Sequence, residues 1–136
     1  MILADTSGLL AFFNRQEPAH AAVAALVASA DEPLVVSPYV LAELDYLVAT
    51  RLGVPAELAV LRELAGGAFV LAALDDSEVA QATELIGRNA GLGIGLADAS
   101  LVVLAARLGT RVILTLDRRH FEVLRPLDGG RFKIIP

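Results

Sequence analysis

Ile2-Leu3-Ala4-Asp5-Thr6-Ser7-Gly8 opens the chain with three apolar residues, an acid, two hydroxyls and a glycine. The run reads as a short buried strand ending in a turn that can cap a helix over Leu9–Asn14. The same grammar returns at Leu34-Val35-Val36-Ser37-Pro38, where Ser37 is placed as N-cap, Pro38 takes the first helical position and Gly53 ends the helix. It returns again at Val112-Ile113-Leu114-Thr115-Leu116-Asp117, ahead of a short helix over Arg118–Leu124. Between these units an alanine-rich helix runs over Ala19–Ala30 and another opens at Pro55 and stops at Gly66-Gly67. Phe69-Val70-Leu71 forms a strand, and Asp75 and Glu78 have capping-box spacing at the head of a helix ending near Asn89. Gly91-Leu92-Gly93-Ile94-Gly95 is a flexible link, Leu96–Leu108 a helix stopped by Gly109, and Phe132–Ile135 a last strand. Wholly apolar strands of this length, alternating with helices, predict an α/β three-layer sandwich in which helices flank a central, mostly parallel sheet. No repeat, linker or change of composition divides residues 1–136, so a single domain is expected.

At 136 residues and 56% hydrophobic content the chain has enough apolar side chain to bury a core, which excludes disorder as its main state. It has no cysteine, which excludes disulfides, thiol catalysis and cysteine-bound zinc. No apolar run is long enough to span a bilayer, and no basic segment precedes the first strand, so a cytoplasmic protein without membrane association is expected. The net charge of −5 argues against a broad nucleic-acid surface, although ten of the eleven bases are arginine, the residue suited to bidentate phosphate contact.

Four acids stand in apolar surroundings. Asp5 is the only charged side chain between Met1 and Asn14, and Asp98 the only one between Ala90 and Ala106; Asp117 closes the apolar run Val112–Leu116, and Glu43 lies inside Tyr39–Val48. A carboxylate so placed is costly unless its charge is compensated, and a shared divalent cation compensates all four at once. Asp5 and Asp117 each follow a strand, which puts both at the carboxyl rim of a parallel sheet, where such folds bind ligands. Asp98 sits near the start of a helix apolar almost all round, so it lines a cleft. Glu43 and Asp45 lie roughly 200° apart around their helix, and periodicity does not choose between them. Oxygen ligands suit Mg²⁺ or Mn²⁺, and an ion of that kind activates water against a phosphodiester.

Each acid also has an ordinary reading. Asp5 with Thr6, Asp98 and Asp117 can each serve as a helix cap, and Glu43 can be a half-exposed helix residue. Asp31, Glu32, Asp75 and Asp76 are assigned to caps and loops, and His20 and His120 are read as isolated surface residues. Gly91, Gly93 and Gly95 do not follow the first strand and lack the spacing of a nucleotide-binding fingerprint. A phosphoacceptor receiver domain also joins a small α/β fold to an acidic magnesium site. It uses a lysine after a late strand, however, and the one lysine here is Lys133.

Ile2–Ser7, Leu41-Ala42-Glu43-Leu44, Gly95-Leu96-Ala97-Asp98-Ala99-Ser100-Leu101 and Thr115-Leu116-Asp117-Arg118-Arg119-His120-Phe121 resemble, in order and spacing, the four motifs of PIN-domain ribonucleases. The compact length further resembles the VapC-type toxins of bacterial toxin–antitoxin pairs. The resemblance implies metal-dependent endonucleolytic cleavage of RNA, with Asp5 and Asp98 as the main ligands of Mg²⁺ or Mn²⁺. Glu43, in preference to Asp45, and Asp117 are implied as further members of the acidic site, and Thr6 and Thr115 as supporting hydroxyls. It also implies a homodimer and a protein antitoxin that occupies the site. Arg15, Arg118 and Arg119 are the candidates for RNA backbone contact. A non-catalytic PIN-fold module that only binds a partner is the competing expectation.

Overall fold

The structure is a computed structural model and describes residues 1–136. Its elements are β1 (Ile2–Ala4), α1 (Thr6–Phe13), α2 (His20–Ser29), β2 (Leu34–Val36), α3 (Pro38–Leu52), α4 (Val54–Ala65), β3 (Phe69–Leu71), α5 (Asp76–Arg88), α6 (Leu96–Leu108), β4 (Val112–Leu114), α7 (Arg118–Val123) and β5 (Lys133–Ile135). One 3₁₀ turn, Ala90–Leu92, lies in the glycine-rich link ahead of α6. The five strands form one sheet in the order β3-β2-β1-β4-β5, and every pairing is parallel, so the expected mostly parallel sheet is wholly parallel. No helix is long and apolar enough to cross a membrane.

The strand order sets the position of everything that follows. The chain builds outward from β1 through β2 to β3, then crosses back to place β4 and β5 on the other side of β1. The order therefore reverses between β1 and β4, and the loops leaving their carboxyl ends diverge around a crevice. Leu3 and Ala4 of β1 and Ile113 and Leu114 of β4 are fully buried and in register, Leu3 with Ile113 and Ala4 with Leu114. The Asp5 N–H donates to the Leu114 carbonyl at 2.9 Å, extending the ladder to the crevice edge.

Two polar devices align helices over this edge. The Ser37 hydroxyl caps α3 by accepting from the Tyr39 and Val40 amides, and it lies 2.7 Å from the Ser100 hydroxyl. Ser100 in turn donates to the Ala97 carbonyl at 2.6 Å, so the proton order runs from Ser37 to Ser100 to Ala97. Both serines are fully buried, and their bond fixes the start of α3 against the first turn of α6. At the opposite end of α6, Arg107 donates to both carboxylate oxygens of Glu78 and to the Ala73 carbonyl. Glu78 also closes the capping box with Asp75, as its spacing predicts.

Helix α1 begins at Thr6, earlier than the sequence suggests, and Gly8 lies inside it instead of in a turn. Gly8 is there for closeness: a Cβ at this position would sit 2.7 Å from the Leu114 carbonyl oxygen and 2.8 Å from Leu114 Cγ. Glycine thus lets α1 rest directly on the end of β4. Gly8→Ala should lower unfolding stability by roughly 2 kcal/mol, overpacking outweighing the better helix propensity of alanine. Gly87→Ala in α5, where a Cβ meets nothing within 4 Å, should cause no loss. Urea unfolding of both variants checks the pair, and a Gly8→Ala protein as stable as the parent would refute the close-approach argument.

Candidate metal centre

Asp5 occupies the N-cap position of α1, yet its side chain makes no cap hydrogen bond. Its Oδ2 instead accepts from Thr115 Oγ1 at 2.7 Å and from Ser7 Oγ at 3.2 Å. Both donors are held in turn by backbone: the Leu116 amide donates to Ser7 Oγ at 2.9 Å, and the Asp117 amide to Thr115 Oγ1 at 3.0 Å. The loop after β1 and the loop after β4 are therefore tied through one carboxylate oxygen. Burial pushes the Asp5 carboxyl above its ordinary pKa, and the negative charge of Glu43 adds to the rise. Hydrogen bonds from Thr115, the Thr6 backbone and Ser7 oppose it.

Asp98 lies in the first turn of α6, inside the helix, with Gly95 and not Asp98 at the N-cap. Its side chain is 16% exposed, and its Oδ2 is 2.8 Å from His120 Nδ1. Its pKa is pushed up to about 6, first by burial and then by the charge of Asp5; His120 opposes the rise and Asp117 adds to it. Asp117 precedes α7, and its carboxylate is 48% exposed, 3.7 Å from the same His120 nitrogen. Glu43 is exposed on α3, and its charge reaches Asp5. Asp45, on the far side of that helix, instead acts on Glu57 of α4, whose carboxyl it raises through a hydrogen bond. Glu43 thus acts on Asp5, and Asp5 and Asp117 act on Asp98, whereas the charge of Asp45 falls on Glu57.

The supporting residues divide. Thr115 reaches Asp5, whereas the Thr6 hydroxyl is buried without a hydrogen-bond partner. Ser7, which sequence reasoning left without a role, holds Asp5 as well; its place two residues beyond the acid is the signal that could have found it. His120 is a correction: it is buried and paired with Asp98, not an isolated surface residue. The reason is the short helix α7, which turns His120 and Phe121 inward while its arginines stay outside. His20 is also not free, its Nδ1 lying 2.8 Å from the Ala11 carbonyl oxygen. Arg15 and Arg118 are exposed, Arg118 paired with Glu122, and exposed Arg119 lies 3.1 Å from His120 Nε2.

No three carboxylate or imidazole side chains stand close enough together to form a closed metal cage. The donors fit a hard cation of the magnesium kind, which needs only one or two carboxylates and keeps several waters. Asp5 and Asp98 are the pair with that character: both are largely buried, both have raised pKa values, and the charge of Asp5 adds to the rise at Asp98. A zinc cage is a poor match, because no three ligating side chains converge and the chain has no cysteine.

A wholly parallel sheet with buried carboxylates at its switch point is the architecture of an acid-rimmed α/β domain, and the chain belongs to the PIN-domain family, whose model matches residues 2–125. Among individual proteins it is 60% identical over 135 residues to Ribonuclease VapC26 of Mycobacterium tuberculosis, covering 99% of this chain and all of that protein. Its fold is also that of the crystal structure of VapC20 of Mycobacterium tuberculosis, a toxin that cleaves the sarcin-ricin loop (TM-score 0.80, 23% identity, 86% of this chain and 90% of that one). The DNA-bound VapBC of Salmonella typhimurium shares it too (TM-score 0.69, 21% identity, 98% and 96% covered).

The raised carboxyls have a consequence for metal-free protein. Asp98 titrates at about 6 when folded against 3.8 in the unfolded reference, and Asp5 moves in the same direction. Between those values the folded state binds protons that the unfolded chain releases, so stability falls as pH rises through the window. Asp75, whose pKa is lowered, loses its contribution only below that window. Chelator-treated protein should therefore be more stable near pH 5 than near pH 7.5 by on the order of 2 kcal/mol, and Asp98→Asn should flatten the slope. Urea unfolding across that range measures it, and a slope of the opposite sign would contradict the burial argument.

Proposed function

We propose that the protein is a metal-dependent endoribonuclease that hydrolyses RNA phosphodiester bonds and acts as the toxin of a toxin–antitoxin pair. The observation that carries this reading is Asp5 and Asp98, two largely buried acids with raised pKa values, the charge of one acting on the other, beside a 60% identity to a ribonuclease. In this reading Asp5 and Asp98 hold Mg²⁺ or Mn²⁺, with Glu43 and Asp117 contributing through water. When bound, the ion lowers the pKa of water and offsets charge on the phosphate.

The chain's own groups supply the rest. Thr115 and Ser7 orient Asp5 by engaging Oδ2, and no side chain hydrogen-bonds its other oxygen. Glu43 and Asp117, exposed at the rim, can receive the proton given up by the attacking water and return one to the leaving oxygen as its bond to phosphorus breaks. The ribose 2′-hydroxyl is not needed as nucleophile. Arg15, Arg118 and Arg119 are exposed candidates for backbone phosphates. A protein antitoxin, a homodimer and a cytoplasmic setting complete the proposal; VapBC assemblies among the fold neighbours support the antitoxin.

The receiver-domain alternative loses its lysine: Lys133 pairs with Val112 at the opposite end of the strands from Asp117. The binding-only alternative is separated by activity. RNA incubated with purified protein and Mg²⁺ should yield defined internal fragments; EDTA should abolish them, and restored Mn²⁺ should bring them back. Asp98→Asn should slow cleavage by roughly 100-fold or more. Full cleavage by Asp98→Asn with metal present would defeat the assignment, and metal binding without any cleavage would favour the interaction module.

A further inference from the structure

We infer that His120, locked by Arg119, is a positioning residue that holds Asp98 in the orientation needed for cation binding. The inference deepens the metal-dependent reading above and rests on it. His120 Nδ1 is 2.8 Å from Asp98 Oδ2 and 3.7 Å from Asp117 Oδ2, so its hydrogen bond goes to Asp98 and leaves Asp117 free. On the other side of the ring, Arg119 Nη2 is 3.1 Å from Nε2. A guanidinium has donors only, so Nε2 must be the acceptor in that contact. The ring hydrogen therefore sits on Nδ1 and points at Asp98. Arg119 selects the tautomer, and His120 passes that choice to the carboxylate.

The same logic governs both acids of the proposed site. Every side-chain hydrogen bond to Asp5 lands on Oδ2, and the one to Asp98 also lands on Oδ2. On each carboxylate the side-chain hydrogen bonds thus engage one oxygen, and none reaches the other. Partners that orient a metal-binding carboxylate in this way commonly affect metal affinity by roughly 10–100-fold when removed. His120 is 8% exposed, so its ring has little freedom to swing away. Arg119 itself is exposed, which leaves its guanidinium free to be replaced without opening the core.

Three measurements test this. Nitrogen-15 NMR of the imidazole in the unaltered, metal-free protein should show the Nδ1–H tautomer, and Arg119→Met should mix the two tautomers; an Nε2–H ring in the parent protein would overturn the inference without any variant of His120. Calorimetric titration with Mn²⁺, in the absence of RNA, should show His120→Ala binding roughly 10–100-fold more weakly than the parent. His120→Asn, whose amide N–H falls near the Nδ1 position, should recover most of that loss, whereas His120→Gln should not. Near-ultraviolet circular dichroism confirms that each titrated protein is folded. Parental Mn²⁺ affinity in His120→Ala alone would overturn the role of His120. Parental affinity in Asp98→Asn as well would overturn the metal reading itself.

Discussion

The carboxylate of Asp5, a residue 5% exposed at the end of a buried strand, is the constraint around which the rest of the rim is built. Taking a carboxylate out of water costs several kcal/mol, and hydrogen bonds recover only part of that. Here the recovery comes from Thr115 and Ser7, each of which also satisfies a backbone amide of the loop after β4. The bonds therefore do two things at once: they stabilise the charge and they tie together two loops that the sheet would otherwise leave diverging. Their number is not enough to return Asp5 to an ordinary carboxyl, and its raised pKa records the remaining cost.

A second cost arises at Asp98, whose own burial is compounded by the charge of Asp5. Two helix placements enforce the approach. Gly8 lets α1 settle onto Leu114, which keeps Asp5 at the crevice, and the Ser37–Ser100 bond holds α3 and α6 in a fixed relation, which carries Glu43 and Asp98 with them. Seven consecutive buried residues, Ala99–Ala105, then anchor α6 in the core just beyond Asp98. The packing energy of the domain is thus used to hold like charges together, a combination that pure stability would not favour and that a cation relieves.

Much of this was legible in the sequence because the signals were local. The Ser37–Pro38 start of α3, the Asp75–Glu78 capping box and the Gly109 stop of α6 depend on residues within a turn of one another, and each is found where it was read. The solitary charges Asp5 and Asp98 also announced their burial, whereas Glu43 and Asp117, read from similar apolar surroundings, are exposed because each sits on the outer side of the rim. What failed were inferences whose answer lies across the fold. Gly8 looked like punctuation, but its role is contact with Leu114, far along the chain. Asp5, Asp98 and Asp117 were open to a capping role that none of their side chains takes: Thr115 engages Asp5 and His120 engages Asp98, while the Asp117 carboxylate stays half exposed at the rim. His120 carried no periodic signal in a six-residue helix, and its partner Asp98 is on another element. Periodicity did not choose between Glu43 and Asp45; the family resemblance favours Glu43, and in the fold the charge of Glu43 reaches Asp5 while that of Asp45 acts on Glu57.

The central claim is that the buried pair at the switch point exists to receive a divalent cation. Crystals of the protein grown with Mn²⁺, with diffraction collected at the manganese absorption edge, test it most directly. The account predicts an anomalous peak in the crevice between β1 and β4, within coordination distance of a carboxylate oxygen of Asp5 and of Asp98. Manganese bound only elsewhere on the protein, with the rim left empty at saturating metal, would contradict it.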